Sequence, residues 1–96
     1  SLNRFSEEKR DLALVMNKDI TYEQVEECIR RANKYIKEIR LFDVYEGGQI
    51  PEGKKSMAYT ITFAPKEEAF DAEAIQKFVD KICRTLKNDL DIDLRA

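Results

Sequence analysis

The sequence has no histidine and only two cysteines, Cys28 and Cys83, which do not form a CxxC pair. Zinc sites built from cysteine and histidine are therefore excluded, and so are catalytic nucleophiles that depend on a histidine base. Both cysteines fall within apolar helical patterns, which favours buried free thiols that act as small hydrophobic side chains. A disulfide would require an oxidising compartment, and nothing else in the sequence indicates one.

Long apolar runs and an excess of basic residues are also missing. No run approaches the roughly 18 apolar residues that a membrane span needs, and the first ten residues lack the apolar region of a secretory signal. We therefore expect a cytoplasmic protein without a membrane partner. The net charge of −2 argues against DNA as a partner, because wrapping a duplex requires many basic side chains. Any nucleic-acid binding has to come from a small patch and from stacking.

The length and composition are those of one globular domain. The chain has 96 residues, of which 38% are charged and 43% hydrophobic, enough for one domain and too few for two. It begins without methionine and ends in DLRA. We therefore expect residues 1–96 to be a single domain excised from a longer protein, with Ser1 as a candidate cloning remnant.

Apolar periodicity predicts six elements in the order β-α-β-β-α-β. The segment from Thr21 to Gln24 fits a helix-capping box, and an apolar stripe at helical spacing follows it as far as Ile36 and Ile39. Asp71 is predicted to cap a second helix, and glycine and proline predict a loop over residues 47–53. Alternating apolar residues predict strands over Lys9–Met16, Arg40–Glu46, Lys54–Phe63 and Asp91–Arg95.

This order predicts an α+β fold of the ferredoxin-like, split βαβ type. Its four-stranded antiparallel sheet would have the strand order 4-1-3-2, with both helices on one face. We expect the strongly apolar strand residues to meet the helices: Leu12, Leu14, Phe42, Val44, Met57, Tyr59, Ile61, Phe63, Ile92 and Leu94. The other face, which includes Leu41, has no helix to cover it and carries mostly small or polar residues: Ala13, Asp43, Tyr45, Ser56 and Ala58.

Tyr45 is the candidate binding residue on this uncovered face. RNA-recognition folds stack bases on aromatic side chains of such a sheet, and Asp43 and Ser56 can form hydrogen bonds with a base. Small residues at positions 13 and 58 would let a base lie close to the sheet, while the basic side chains of Arg10, Lys54 and Lys55 could contact phosphates. The alternative is that Tyr45 is an ordinary strand residue that packs on a neighbouring domain, because tyrosine favours strands in any case.

Other chemistry finds less support in the sequence. The acidic tail of Asp89, Asp91 and Asp93 lacks the glycine and the distal glutamate of a calcium-binding loop, so helix capping and solubility explain it better. The segment GGQIPEG lacks the GK[ST] ending of a phosphate-binding loop. An acylphosphatase-like enzyme would need an asparagine at a phosphate cradle, and none of the asparagines is placed at one.

Three segments, taken together and in order, resemble a known family. These are RDLALV at 10–15, LFDVYEG at 41–47 and IPEGKKSMAYTITF at 50–63. They look like the signature segments of the ferredoxin-fold anticodon-binding domain, which ends the beta subunit of bacterial phenylalanyl-tRNA synthetases. The resemblance extends from Arg4 to Arg95 and includes the acidic cap at Asp71.

The resemblance implies both a parent enzyme and a site. Such an enzyme attaches phenylalanine to its tRNA with ATP and magnesium, as a heterotetramer of two alpha and two beta subunits. The reaction takes place outside this domain, which would need no cofactor and would have the tRNA anticodon stem-loop, the alpha subunit and the rest of the beta subunit as partners. Tyr45 would stack on the first anticodon base, and Ala13, Asp43 and Ser56 would line the site of that base.

A second function remains open from the residues. Ferredoxin-like domains also serve as regulatory or protein-interaction modules that use the open sheet face. In that case Tyr45 would be buried against a partner or a second copy, and the chain would dimerise at higher concentration.

Overall fold

The order of elements agrees with the sequence prediction. The computed structural model describes residues 5–95, so the expectations for Ser1 and Arg4 lie outside the described residues. The elements are β1 (Glu8–Asn17), α1 (Tyr22–Ala32), β2 (Ile36–Tyr45), β3 (Lys54–Phe63), α2 (Ala72–Leu90) and β4 (Asp93–Leu94).

The strands form one antiparallel sheet in the order β2-β3-β1-β4. This is the predicted order 4-1-3-2 read from the other edge, and it confirms the ferredoxin-like α+β fold. The central strand β3 has the predicted bounds, and it pairs along its whole length with β1 on one side. β2 and β4 are the two edges of the sheet.

Both helices begin at the predicted caps. The Thr21 hydroxyl accepts a hydrogen bond from the Gln24 backbone N–H at 3.1 Å, and the Gln24 side chain accepts one from the Thr21 N–H at 2.9 Å. This reciprocal pair satisfies two N–H groups that the first helical turn leaves without partners. The Asp71 carboxylate accepts in the same way from the Ala74 N–H at 2.8 Å.

Helix α1 ends earlier than its apolar spacing predicts. It ends at Ala32, and the next residue, Asn33, is extended with φ −155°. The Asn33 side chain accepts a hydrogen bond from the Tyr35 N–H at 2.8 Å, a local turn that competes with further helix. Ile36 and Ile39 therefore belong to β2, and their assignment to the helical stripe was wrong.

The core lies between the helices and one face of the sheet. It contains Leu12, Leu14, Tyr59 and Ile61 from the central strands, all at most 5% exposed. The helices contribute the apolar faces that their spacing predicts. Cys28 is buried within this core, and both it and the half-buried Cys83 are free thiols, as expected.

A β-bulge changes which residues of β2 face the helices. Leu41 pairs with Tyr59, but the next pair is Asp43 with Ala58, so Phe42 is an extra residue without a partner on β3. An extra residue reverses the alternation beyond it. Leu41, predicted on the uncovered face, packs against the core instead. Asp43 stays on the uncovered face.

Three residues predicted to meet the helices are exposed instead. Phe42 at the bulge is 47% exposed, Val44 is 52% exposed and Leu94 is 54% exposed. Pairing places Val44 beside Met57 and Leu94 beside Leu14 on the helix side of the sheet. Both lie on edge strands, where the helices do not cover their side chains.

The last strand is shorter than predicted, and the end of α2 fixes its position. Asp91 has a left-handed backbone with φ 54° and closes the helix through hydrogen bonds to the last turn. The Lys87 ammonium contacts the carboxylates of Asp91 at 2.9 Å and Asp93 at 3.0 Å. Ile92 is buried as expected. The acidic tail therefore caps the helix, and the described residues contain no acidic cluster that could hold a metal ion.

Candidate nucleic-acid interface

The side of the sheet opposite the helices, here called the helix-free face, has three rows of directly paired residues beside the β2–β3 loop. Residues that pair across antiparallel strands project from the same face. Two rows run from β1 through β3 to β2: Ala13–Ala58–Asp43 and Val15–Ser56–Tyr45. The third, Asn17–Lys54, joins β1 and β3 alone.

The structure therefore brings five of the seven predicted site residues together. These are Ala13, Asp43, Tyr45, Ser56 and Lys54. The bulge in β2 is essential to this arrangement, because it sets Asp43 and Tyr45 on the same face as Ala58 and Ser56. Directly opposed Cβ atoms lie about 4.5–5.5 Å apart. The rows Ala13–Ala58–Asp43 and Val15–Ser56–Tyr45 therefore cover an area comparable to that of one base.

The other two predicted residues lie on the opposite side of the sheet. Arg10 pairs with the buried Ile61, and Lys55 pairs with the buried Met16. The Lys55 ammonium donates to the backbone carbonyl of Ile20 and so fixes the turn before α1. Neither side chain shares a face with Tyr45. The helix-free face gains no phosphate contact from them.

Tyr45 is the large side chain in this arrangement. It is 41% exposed and lies at the end of β2, which is an edge strand of the sheet. Beside it, Ala13 and Ala58 form a flat floor of small residues, and Asp43 presents an exposed carboxylate. An exposed ring next to a low floor and a hydrogen-bond acceptor has the shape and chemistry to receive one planar heterocycle.

Ser56 is more buried than a residue on an open face is expected to be. It is only 3% exposed. Its direct neighbours on this face are the larger side chains of Val15 and Tyr45, so its small side chain lies between them. Its hydroxyl can reach a ligand only when that ligand displaces what covers it.

The β2–β3 loop sets the position of the Tyr45 ring. A Cβ atom added to Gly48 would come closer than 3.0 Å to the Tyr45 hydroxyl oxygen and within 3.4 Å of Cζ. Gly48 also has φ +55°, a left-handed conformation that glycine adopts at little cost. The loop is anchored by the buried Ile50, whose N–H donates to the Gly47 carbonyl at 2.9 Å. The absence of a side chain at Gly48 therefore makes room for the end of the ring.

Arg95 approaches the same ring from the far edge of the sheet. Its guanidinium carbon lies 5.5 Å from the centroid of the Tyr45 ring, within the range of a cation–π contact. Its backbone N–H donates to the Ala13 carbonyl at 2.7 Å, which extends the pairing of β4 with β1 by one residue. The helix-free face is thus bounded by Tyr45 at one side and Arg95 at the other.

Sequence reasoning missed both Gly48 and Arg95. For Gly48 the usable signal was the pair of glycines that follows the candidate tyrosine after one intervening residue, because it allows a close approach of the loop backbone to the ring. For Arg95 the signal was the predicted strand order, which places the residue after β4 beside β1. The length of its side chain then lets it reach across the sheet.

Other parts of the described chain offer less to a ligand. A cleft of about 490 Å³ lies on the outer side of α1, and its lining is a mixture of charges: Glu23, Glu26, Glu27, Arg30 and Arg31. Burial raises the pKa of the Cys28 thiol, which leaves it protonated and a poor nucleophile.

Within residues 5–95, neither helix has the length and apolar character that a membrane-spanning helix needs.

Comparison with known proteins identifies a family over nearly the whole chain. Residues 3–95 match the model of the ferredoxin-fold anticodon binding domain. The chain is 43% identical over 97 residues to the phenylalanine–tRNA ligase beta subunit of Clostridium tetani, with 99% of this chain and 12% of the relative covered.

Two further relatives carry the same name. The beta subunit of Lactobacillus acidophilus is 41% identical over 96% of this chain and 12% of its own length. That of Lactococcus lactis is 40% identical over 90% of this chain and 11% of its own length. The chain thus spans about an eighth of each of the three relatives.

Proposed function

The chain belongs to the ferredoxin-fold anticodon-binding domain family, and we propose that it binds the anticodon stem-loop of a phenylalanine tRNA. The observation that carries the proposal is the exposed Tyr45 ring beside a floor of Ala13 and Ala58 on the helix-free face. A base stacked on this ring would gain about 1–3 kcal/mol. The Asp43 carboxylate is placed to accept a hydrogen bond from an amino or imino group of that base.

The charge of the domain limits how it holds RNA. With a net charge of −2, it does not surround the RNA with positive charge, and few phosphates are contacted. Lys54 and Arg95 are the basic residues beside Tyr45 on the helix-free face. Affinity in this proposal comes mainly from stacking, with a small electrostatic contribution.

The wider role follows from the names of the relatives. We infer that the chain is a domain of the beta subunit of a phenylalanine–tRNA ligase, a cytoplasmic enzyme that joins phenylalanine to its tRNA with ATP and magnesium. In that enzyme the rest of the beta subunit and the alpha subunit would carry the chemistry. This domain would contribute tRNA binding alone and would hold no cofactor.

The test is an NMR titration of the labelled 96-residue chain with a phenylalanine-tRNA anticodon stem-loop, beside a stem-loop with an exchanged anticodon. We expect the shifts to cluster at Ala13, Asp43, Tyr45 and Ser56 and to be larger for the cognate loop. Equal shifts with both loops, or shifts spread over α1, would overturn the proposal of an anticodon reader on this face.

Substitution separates stacking from other roles of Tyr45. Tyr45→Ala should weaken binding by about 1–3 kcal/mol, whereas Tyr45→Phe keeps the ring and should bind within a factor of two or so. Val44→Ala is the matched control, because Val44 is the adjacent residue, is similarly exposed and lies on the helix side. A Tyr45→Ala variant that binds as tightly as Val44→Ala would exclude the stacking role.

A further inference from the structure

The contact between Arg95 and Tyr45 carries a more specific inference about how a base is held. Arg95 is exposed, and within the described residues its charged end contacts no carboxylate at ion-pair distance. Some other cations in the described residues form ion pairs, such as Lys18 with Glu46 at 3.3 Å. The partner that the described structure gives the Arg95 guanidinium is the tyrosine ring.

We propose that Tyr45 and Arg95 form the two walls of a site for a single base, which enters between the ring and the guanidinium. This proposal rests on the proposed function and adds a second binding residue to it. Arginine guanidinium planes stack on unpaired bases as aromatic rings do. Both planar groups would then contact opposite faces of the same base.

The distance between the two groups fits a closed site that opens slightly. Stacked bases are spaced by about 3.4 Å, so a base between two planar groups needs a separation of roughly 7 Å. The Arg95 guanidinium carbon lies 5.5 Å from the ring centroid in the free protein. The guanidinium therefore has to move away from the ring to admit the base.

The movement is available because only the backbone of Arg95 is fixed. Its N–H donates to the Ala13 carbonyl at 2.7 Å, whereas its long side chain is solvent-exposed. Rotation about the side-chain bonds can lift the guanidinium without disturbing the pairing of β4 with β1. The hydroxyl end of the Tyr45 ring lies close to Gly48, and the ring forms the other wall.

The exchange of contacts also favours entry of the base. An exposed cation–π contact is worth about 0.5–1 kcal/mol, less than stacking of a base on an aromatic ring. The base replaces the guanidinium on the ring, and the guanidinium gains the opposite face of the base. The contact of Arg95 with the ring in the free protein is thus replaced by its contact with the base.

Two variants test the proposal by their affinity for the cognate stem-loop. Arg95→Ala should weaken binding roughly 3- to 30-fold, and Arg95→Lys should restore only part of this loss, since an ammonium has no plane to stack. Arg84→Ala, which removes an exposed arginine from α2, is the matched control and should bind as the parent does. Circular dichroism and the amide spectrum verify the fold of each variant.

Three outcomes would overturn the proposal. Tighter binding by Arg95→Ala would mean that the guanidinium only blocks the ring. Equal binding by the parent and Arg95→Lys would mean that a point charge contacts a phosphate. Unchanged binding by Arg95→Ala would mean that it has no role. The slope of log affinity against log salt should be the same in the parent and in Arg95→Lys, since both keep the charge.

A double variant tests whether both residues contact the same base. In the Tyr45→Ala background, Arg95→Ala should cost clearly less than it does alone, because a base without one wall is held poorly by the other. Independent, multiplying losses would overturn the shared site. If Tyr45→Ala itself leaves binding unchanged, the proposed function of the face fails. If Arg95→Ala leaves binding unchanged while Tyr45→Ala weakens it, the two-walled site fails and the stacking role of Tyr45 stands.

The contact itself is measurable without RNA. The side-chain protons of Arg95 should be shifted upfield by the ring of Tyr45 in the free protein and should lose this shift in Tyr45→Leu. Identical Arg95 shifts in the two proteins would overturn the contact on which the site is built.

Discussion

Replacement of Gly48 by alanine tests whether the β2–β3 loop sets the position of the Tyr45 ring. The added methyl group would overlap the Tyr45 hydroxyl oxygen, so the ring has to move away from the loop. Gly48 also has a left-handed backbone with φ +55°, where alanine costs about 1 kcal/mol. The variant therefore combines a general backbone cost with a specific displacement of the ring.

Gly47→Ala separates these two effects. Gly47 is also left-handed, with φ +82°, but a Cβ atom there would meet nothing within 4 Å. Both variants should lose about 1 kcal/mol of folding free energy, which lowers the thermal midpoint by roughly 4–8 °C in a domain of this size. Only Gly48→Ala should move the ring.

The assay is calorimetric titration with the cognate anticodon stem-loop at a temperature where both variants are folded. Loss of stacking predicts that Gly48→Ala binds roughly 5- to 150-fold more weakly than the parent, which corresponds to about 1–3 kcal/mol. Gly47→Ala should bind nearly as the parent does. Equal affinities for the two variants would refute the reasoning, because the position of the ring would then not depend on Gly48.

Two further predictions concern stability. Thr62→Val should leave the thermal midpoint unchanged or raise it by an amount equivalent to up to about 1 kcal/mol, because the buried Thr62 hydroxyl has no hydrogen-bond partner among the described residues. Thr60→Val is the control and should not be stabilising, since the Thr60 hydroxyl donates to the Asp11 carboxylate at 2.8 Å. A lower midpoint for Thr62→Val than for Thr60→Val would contradict this prediction. Burial raises the pKa of Cys28 and of Tyr59 above their ordinary values, so both stay protonated in the folded protein when the unfolded chain ionises. The free energy of unfolding in urea should therefore be constant near neutral pH and fall as the pH rises past about 9, and equal values at about pH 7 and about pH 10 would count against these shifts.

The long-range arrangement of this fold was predictable because its elements alternate clearly between two periodicities. Strand alternation in β3 and the capping signals at Thr21 and Asp71 are local patterns, and each appears in the structure where the sequence indicates it. Once the order of the elements is known, the handedness and short connections of the fold leave few alternatives for the sheet.

The errors arose where a local backbone feature interrupts a periodic pattern. The turn at Asn33 ends α1 although apolar residues continue at helical spacing through Ile36 and Ile39. The bulge after Leu41 reverses the alternation in β2 without any glycine or proline to mark it. In both cases side-chain periodicity persists while the backbone changes, so a pattern of apolar residues alone does not reveal the change.

The candidate site was predictable in part because strand alternation decides which residues share a face of the sheet. Ala13, Asp43, Tyr45, Ser56 and Lys54 share a face because strand alternation fixes it. Lys55 and Arg10 were grouped with them by charge, although their positions in β3 and β1 place them on the helix side. The contribution of Arg95 depends on a contact between the two edges of the sheet, and such a contact is a property of the tertiary structure.

The bulges in β2 also affect how the sheet meets other molecules of the same kind. An edge strand carries unpaired N–H and C=O groups that can template strand addition and aggregation. Irregular pairing at Ile36/Glu38 and Leu41/Asp43 interrupts the regular hydrogen-bonding edge of β2, and exposed charges on Lys37 and Arg40 disfavour a second strand beside it. The other edge, β4, is only two residues long. Neither edge offers an extended ladder, so the same backbone irregularity that orients Asp43 and Tyr45 protects the sheet from edge-to-edge association.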